Sequence, residues 1–487
     1  MSISVYQNHE DSLDPLYQHE YFEETSQEVW EYCVIPSSVS IFHIIYKILV
    51  VNLSFGIVIS TINVPKTVLH VYFAASGIYL ISNLESNVGK YLILIFFTSS
   101  YIILKIGSYI QEQYNPTQKN NVHKIQYFST SKLVKYTLII ILVLCQYFLL
   151  KSETWMEIRG VIMIFSMKLI SLAEDVESGV IKYPSHLKYY AYIFCGANVM
   201  FGPWIPFQEY EAMFYQPTKK NIWWVFGIAR ALLISMFFLM LSNCWSMYFI
   251  PEDSNQWLKS YREAFSFRAS HYFISFLSEA SMLAAGYKNT KIWHEPKKWH
   301  FEIADPLKIE FPSALAVVVT TWNKPMHDFL KKYVYRSWLP LGKFYGILAT
   351  FVISSFLHGF EFKVSVVLIL IGIFSYLQFT TRDYFAKAFS CCIRVYPCKN
   401  ICSHRFKRNS IASWICRLAF SFTTILHLVY LGMLMDPSTD ETGILEKWKN
   451  LYFVSFWIML INILVIMHHS NTRWRCLRIL ILNFCRL

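Results

Sequence analysis

The sequence predicts an all-α, polytopic transmembrane protein with about eleven spans, in which interfacial or re-entrant helices enclose an internal tunnel. Composition is the first observation behind this prediction. Of the 487 residues, 55% are hydrophobic and only 16% are charged, whereas a soluble domain carries about 25% charged residues. The mean hydropathy is +0.34. Because so few charges cannot cover a soluble surface, the composition excludes a soluble protein.

The second observation is a series of apolar stretches, several of which reach the roughly 20 residues needed to cross a bilayer. They predict spans at 39–62, 66–83, 91–110, 133–150, 156–173, 189–207, 222–250, 344–358, 361–380, 411–435 and 451–467. The sequence contains no internal repeat and no Gly/Ser linker. Residues 39–487 are therefore predicted to form one multi-span membrane domain, and residues 1–38 an acidic lumenal tail.

Residues 251–343 interrupt this series because aromatic and charged residues alternate there with short apolar patches. We expect amphipathic, interfacial or re-entrant helices that surround a chamber.

The distribution of charge predicts the orientation. The net charge is +12, and in a membrane protein basic loops remain on the cytoplasmic side. No signature of a nucleic-acid-binding fold accompanies the charge, so we expect no nucleic-acid partner. Loop 387–410 carries six basic residues and is predicted to be cytoplasmic, whereas loop 436–450 carries four acidic residues and is predicted to be lumenal. The N-terminus is then lumenal and the C-terminus cytoplasmic, with His358 near the lumenal end of its span.

The eleven cysteines show no disulfide framework of the kind found in small secreted domains. One cluster stands apart and contains Cys391, Cys392, Cys398, Cys402 and His404. A zinc site is disfavoured because the spacing matches no paired CxxC pattern. A basic, membrane-proximal loop with thiols open to acylation is favoured.

His358 and Gly359 interrupt an apolar run in the stretch SSFLHGFEF. Ionisable groups inside a membrane are costly and usually face a cavity or a partner. A structural histidine that donates to a backbone carbonyl is the alternative. His427 is a second histidine in an apolar run, and a structural role is favoured for it.

The stretch TTWNKPMHDFLKKYVYRSW places Asn323 two residues before a proline. This pattern is typical of a helix N-cap. The functional alternative is that the Asn323 amide stabilises an oxyanion. Lys168, Ser278 and Glu279 are further polar residues in apolar surroundings; Lys168 is predicted to be paired or to face a phosphate, and Ser278 and Glu279 to form a polar patch.

These stretches resemble the membrane-bound O-acyltransferase family from roughly Trp155 to Gly432. The matching texts are IRG-x-x-MI-x-x-MK-x-x-SL, FGPWI, YF-x-x-FLSEA, WN-x-PM with YV downstream, and S-x-x-LHGF-x-F. Within the family they are most similar to members that acylate Wnt proteins. Phe329 stands where a tryptophan is usual, and His327 where a small polar residue is.

The resemblance implies a protein-serine O-palmitoleoyltransferase of the endoplasmic reticulum membrane. It places the catalytic histidine at His358, as general base, and the catalytic asparagine at Asn323. Palmitoleoyl-CoA is the implied acyl donor, Wnt proteins are the lumenal acceptors, membrane lipids surround the enzyme, and no tightly bound cofactor or metal is needed. The implied substrate-binding residues are Trp322, Ser278, Glu279, Lys331, Lys332 and Arg336; the three basic ones would meet the CoA phosphates.

Two alternatives remain open. A lipid O-acyltransferase of the same family would share the chemistry and differ in its acceptor. A polytopic transporter would use His358 as a proton relay, but transporters often show repeated halves, which this sequence lacks.

Overall fold

The computed structural model describes residues 25–61, 64–114, 129–215, 220–287, 301–359, 361–396, 398, 402–436 and 443–470. Most of the predicted acidic tail and the basic C-terminal segment lie outside these residues, as do 288–300 in the predicted interfacial region. The described chain is helical, and its one β-bridge joins Cys391 to Phe406. The all-α prediction is confirmed.

The chain divides into two compact units. The first contains residues 1–249, 269–303 and 356–360, and the second contains 250–268, 304–355 and 361–487. The single-domain prediction is not tested by this division.

Helices of the first unit bury apolar stripes against one another. Their bounds are Ser26–Val29, Trp30–Val34, Ile35–Thr61, Lys66–Ser82, Asn87–Tyr114, Thr130–Leu144, Cys145–Leu149, Ser152–Glu177, His186–Ile193, Phe207–Tyr215, Ile222–Met240, Leu241–Trp245 and Ser246–Phe249. Ile222–Met240 shows the pattern: Trp224, Ile228, Ala231, Ser235 and Leu239 recur at helical spacing and are buried, while Phe226, Leu233 and Phe237 are exposed. Such large exposed apolar faces mark contact with a membrane.

A disulfide joins Cys33 to Cys244 across 211 residues. It connects the N-terminal helical segment to the segment Leu241–Trp245 within the first unit. No sequence pattern predicts this pairing, because the two cysteines belong to no recurring spacing.

The second unit has its own core, formed by Tyr430, Met433, Leu434, Trp448 and Leu451. Its helices are Pro306–Glu310, Leu315–Trp322, Lys324–Leu330, Lys331–Tyr335, Arg336–Trp338, Leu339–Leu341, Phe362–Ala388, Ile411–Gly432, Met433–Met435, Ile444–Asn450 and Val454–Ser470. Two more helices, Gln256–Ala285 and Lys343–Leu357, contribute residues to both units.

Among the described residues, five helices are long and apolar enough to cross a membrane, and two bent pairs raise the number to seven. The polytopic prediction is confirmed, but the count of about eleven is not reached. The predicted span 189–207 is wrong, because His186–Ile193 has only eight residues and 194–206 is irregular. Residues 194–206 carry Gly196, Gly202, Pro203 and Pro206, which favour turns over helix.

The region 251–343 also differs from the prediction. It begins with one 30-residue helix, Gln256–Ala285, which buries Arg262, Arg268 and Glu279. This helix is longer than the segments expected there, and its buried charged residues show that part of it packs inside the protein. Short helices follow from Pro306 onward.

Candidate active site

His358 lies in a turn directly after the helix Lys343–Leu357 and is partly exposed. The turn closes when the Gly359 N–H donates to the Phe356 carbonyl at 3.0 Å. His358 therefore keeps some accessible surface, which a general base acting on a substrate requires.

Gly359 is required by the shape of this turn. Its φ of +86° lies in the left-handed region, which side chains other than glycine rarely adopt. A Cβ atom at Gly359 would also lie 2.5 Å from Cζ2 of Trp155, a buried side chain of the helix Ser152–Glu177. The indole of Trp155 therefore packs directly against the backbone that follows His358.

Asn323 caps the helix Lys324–Leu330, as its position before Pro325 predicts. Its Oδ1 accepts a hydrogen bond from the Met326 N–H at 3.0 Å. This contact fixes the orientation of the amide, because only the oxygen can accept from an N–H. The Nδ2 group is then turned the other way, with two N–H donors that have no hydrogen-bond partner in the described part of the chain.

The neighbouring Trp322 is partly exposed and stacks on Phe267, with ring centroids 6.1 Å apart and an angle of 23° between planes. The three basic residues predicted to bind CoA, Lys331, Lys332 and Arg336, are all exposed. The Lys332 Nζ donates to the Tyr333 hydroxyl at 2.8 Å. These side chains are reachable by phosphates, and their predicted roles remain predictions.

Ser278 and Glu279 are each held by groups of the protein. The Ser278 hydroxyl donates to the Phe201 carbonyl, and Glu279 accepts from Arg230 at 2.5 Å and from the Phe301 N–H at 3.3 Å. Burial raises the pKa of Glu279 to about 7, while Arg230 opposes this shift. The contacts account for both residues structurally, and their predicted contact with substrate remains a prediction.

Comparison with known proteins decides the family. The model of the membrane-bound O-acyltransferase family matches residues 71–406, which is more than half of the chain and includes both His358 and Asn323. The chain belongs to the membrane-bound O-acyltransferase family.

Curated relatives indicate which members of this family the chain resembles. The chain is 33% identical to protein-serine O-palmitoleoyltransferase porcupine of Anopheles gambiae, over 63% of this chain and 68% of the relative. It is 32% identical to the porcupines of Mus musculus and Homo sapiens, over 66% of this chain and 76% of each relative.

In this membrane-bound O-acyltransferase, His427 has surroundings unlike those of His358. It lies within the helix Ile411–Gly432 and has no exposed surface. Its Nδ1 shares a hydrogen bond with the Ser455 hydroxyl, and its ring lies 4.9 Å from that of Phe374. Its Nε2 is buried without a hydrogen-bond partner among the described residues. These contacts support the structural role predicted for His427.

Lys168 is paired, the first of the two roles predicted for it. Its Nζ donates to Asn198 Oδ1 at 2.7 Å and to the carbonyls of Tyr192 and Ile193 at 2.9 and 3.2 Å. All three donors are used, and the residue is 1% exposed. The phosphate-facing alternative is wrong, because Lys168 stabilises the C-terminal carbonyls of the helix His186–Ile193.

The contact of Trp155 with the turn after His358 is a feature of this region that the sequence alone does not predict. Trp155 opens the segment that carries the first family motif, and a tryptophan in an apolar helix gives no further signal. The positive φ of Gly359 and its close approach to Trp155 show that the indole packs against the turn that follows His358.

Proposed function

We propose that this enzyme transfers a palmitoleoyl group from palmitoleoyl-CoA to a serine hydroxyl of Wnt proteins at the endoplasmic reticulum membrane. The observation that carries the proposal is the 32–33% identity to three proteins named protein-serine O-palmitoleoyltransferase porcupine. The partly exposed position of His358 at a helix end supports the assignment of the base.

In the proposed reaction, neutral His358 takes the proton from the serine hydroxyl as the serine oxygen attacks the thioester carbonyl. The carbonyl oxygen becomes an oxyanion in the tetrahedral intermediate. When the intermediate collapses, the C–S bond breaks, and the CoA thiolate leaves with the proton returned by the imidazolium. The products are a serine oxyester and free CoA.

Asn323 stabilises the oxyanion through Nδ2 in this proposal. The cap bond to Met326 occupies Oδ1 and holds the amide in one orientation, so the two N–H donors are positioned before the reaction begins. A donor that needs no reorientation is the feature that makes such stabilisation effective. One side chain then performs both functions assigned to it as alternatives from the sequence.

The exposed cations Lys331, Lys332 and Arg336 are proposed to bind the CoA phosphates from the cytoplasmic side. Trp322 stacks on Phe267 and is partly exposed. We propose that it lines the substrate site. Ser278 and Glu279 are proposed to be substrate-binding residues that act from buried positions.

Acyl transfer with the purified full-length enzyme tests the proposal. Labelled palmitoleoyl-CoA is incubated with a Wnt peptide that contains the acceptor serine, with the same peptide carrying alanine, and in parallel with a lysophospholipid. We expect label on the serine peptide alone. Label on the lysophospholipid without label on the peptide would support the lipid acyltransferase, and transfer to neither acceptor would exclude both.

We also propose a lumenal N-terminus and a cytoplasmic C-terminus. Loop charges support this orientation, and so does the Cys33–Cys244 disulfide, because disulfides persist on the oxidising side of the membrane. A glycosylation sequon engineered near residue 440 should be modified, and one near residue 400 should not. The natural sequon at Asn52 should stay unmodified, since Asn52 is 1% exposed and donates to Ser281 at 3.0 Å. The reverse pattern at 400 and 440 would reverse the orientation.

A further inference from the structure

The loop that joins the helices Phe362–Ala388 and Ile411–Gly432 brings three thiols and one imidazole together. The Sγ atom of Cys392 lies 3.2 Å from Sγ of Cys402 and 3.3 Å from Nδ1 of His404, and Sγ of Cys398 lies 3.5 Å from the same nitrogen. The four ligand atoms all lie within 4.8 Å of one another. We propose that Cys392, Cys398, Cys402 and His404 bind one structural Zn²⁺ ion.

The distances fit a tetrahedral site. Zinc binds thiolate sulfur at about 2.3 Å and imidazole nitrogen at about 2.0–2.1 Å, so neighbouring ligand atoms in a tetrahedron lie about 3.5–3.8 Å apart. The observed contacts of 3.2 to 3.5 Å are close to those edges. They are too long for a disulfide, in which the sulfur atoms lie about 2.05 Å apart. Four protein ligands leave no open position for water, which is the arrangement of a structural site.

The backbone of the loop holds these ligands in place. The Cys392 N–H donates to the Phe406 carbonyl at 2.9 Å, and the Phe406 N–H donates to the Ser390 carbonyl at 3.0 Å. These two bonds fix the first and last parts of the loop side by side, so that Cys392 and His404 meet. The fully buried Arg382 donates to the Ile393 carbonyl and anchors the same segment to its helix.

A small core lies beneath the loop. Ala386, Cys391 and Ile393 are buried against Phe385, Phe389, Phe406 and Phe420. Cys391 takes no part in the ligand cluster, because its thiol lies 3.0 Å from the Ser413 hydroxyl. The two adjacent cysteines therefore have different surroundings. Cys391 packs in the core, and Cys392 lies next to the other proposed ligands.

Charge favours the metal as well. One Zn²⁺ with three thiolates and a neutral imidazole carries a net charge of −1. The Lys407 ammonium lies 3.9 Å from Sγ of Cys402 and donates to the Cys402 carbonyl. Loop 387–410 carries six basic residues, so the surrounding sequence is cationic overall. The basic charge also predicts the cytoplasmic side, where thiols stay reduced and cysteine clusters are more often metal sites than disulfides.

Acylation of these thiols, which the sequence favoured, fits the geometry less well. Cys392 is 8% exposed, and two other ligand atoms lie within 3.3 Å of its sulfur. An acyl chain on this sulfur would have to displace both of them. A shared metal ion requires no displacement.

Metal analysis of the purified full-length protein tests the proposal. We expect about one zinc per chain by mass spectrometry of the metal content, with Cys402→Ser and Cys398→Ser reduced to less than about a tenth of that amount. Cys416→Ser is the matched control, since Cys416 is an exposed cysteine outside the cluster, and it should keep the full zinc content. His404→Cys should also retain zinc, because four-cysteine sites bind it well.

Removal of zinc with a chelator should lower the thermal midpoint of the parent protein and of Cys416→Ser alike. Parent protein with free thiols and less than about a tenth of a zinc per chain would overturn the proposal. So would zinc unchanged in both cluster variants, a thioester on Cys392, Cys398 or Cys402, or a disulfide between Cys392 and Cys402. Because the parent protein alone gives the first result, the test does not depend on the variants folding.

Discussion

His358 ends the helix Lys343–Leu357 and stays partly exposed, whereas His427 lies inside the helix Ile411–Gly432 without exposed surface. Both residues interrupt apolar sequence, and both are histidines that a search for a base would select. His427 has Ser455 and Phe374 as partners and a buried Nε2 that no substrate can reach. His358 is followed by a glycine in the left-handed region that turns the chain away from the helix. The difference shows that access, and not burial in apolar sequence, separates a candidate base from a core histidine.

The largest expected effect is that of His358→Ala. We expect acyl transfer to fall by about 100- to 10,000-fold, the contribution of a positioned base. Binding of acyl-CoA should remain, since the imidazole takes a proton in the transition state and adds little to ground-state affinity. The measurement is transfer to the Wnt peptide per folded enzyme, beside binding of labelled acyl-CoA. Retention of more than about a tenth of wild-type transfer would contradict the catalytic role.

Asn323→Asp tests whether a capping residue can also be catalytic. Aspartate caps a helix about as well as asparagine, but it has no N–H donor and places negative charge near the oxyanion. Transfer should fall by roughly 100-fold or more, while the thermal midpoint changes little. Asn323→Ser is the matched control for the cap and should be equally stable. Normal turnover in Asn323→Asp would leave capping as the whole role of this residue.

Gly359→Ala tests the turn that presents His358. The added Cβ meets Trp155 at 2.5 Å, and the φ of +86° becomes strained. A displacement of the imidazole by about 1 Å can cost roughly 100-fold in turnover, so we expect a loss of about 10- to 100-fold. Gly160→Ala is the control in the helix that carries Trp155, because a Cβ there meets no atom within 4 Å. Equal activity in the two variants would show that the turn does not position His358.

The smallest effect on catalysis is expected for His427→Ala. Its removal leaves the buried Ser455 hydroxyl without its partner, which costs about 1–3 kcal/mol of stability. Protein level and thermal midpoint should fall, and transfer per folded enzyme should stay at the wild-type value. His427→Gln, which can still bond to Ser455, should recover part of the midpoint. A loss per folded enzyme as large as that of His358→Ala would assign the base to the wrong histidine.

Local rules predicted much of what is found around these residues. An asparagine two positions before a proline indicated the cap at Asn323, and the structure confirms it. Apolar runs indicated the helices, and most bounds agree within a few residues. The span 189–207 failed because hydropathy cannot distinguish a segment in lipid from an irregular one buried in protein. There Asn198 donates to the Pro203 carbonyl at 3.0 Å, a contact internal to the protein.

The features that the sequence did not predict depend on contacts between residues far apart in the chain. No property of Lys168 in the sequence names Asn198 as its partner 30 residues away. The four proposed zinc ligands form a visible cluster in the sequence, yet their spacing matches no paired CxxC pattern. Only the backbone bridge between Cys391 and Phe406 explains why the thiols converge. No local sequence rule predicts the pairing of Cys33 with Cys244, which are 211 residues apart.

That disulfide also has a consequence for the timing of synthesis. Cys33 cannot find its partner until the ribosome has added 211 more residues. At about 5–20 residues per second, this takes roughly 10–40 s. Throughout that interval the nascent chain carries an unpaired N-terminal thiol, and the disulfide can form only after the segment Leu241–Trp245 has been made.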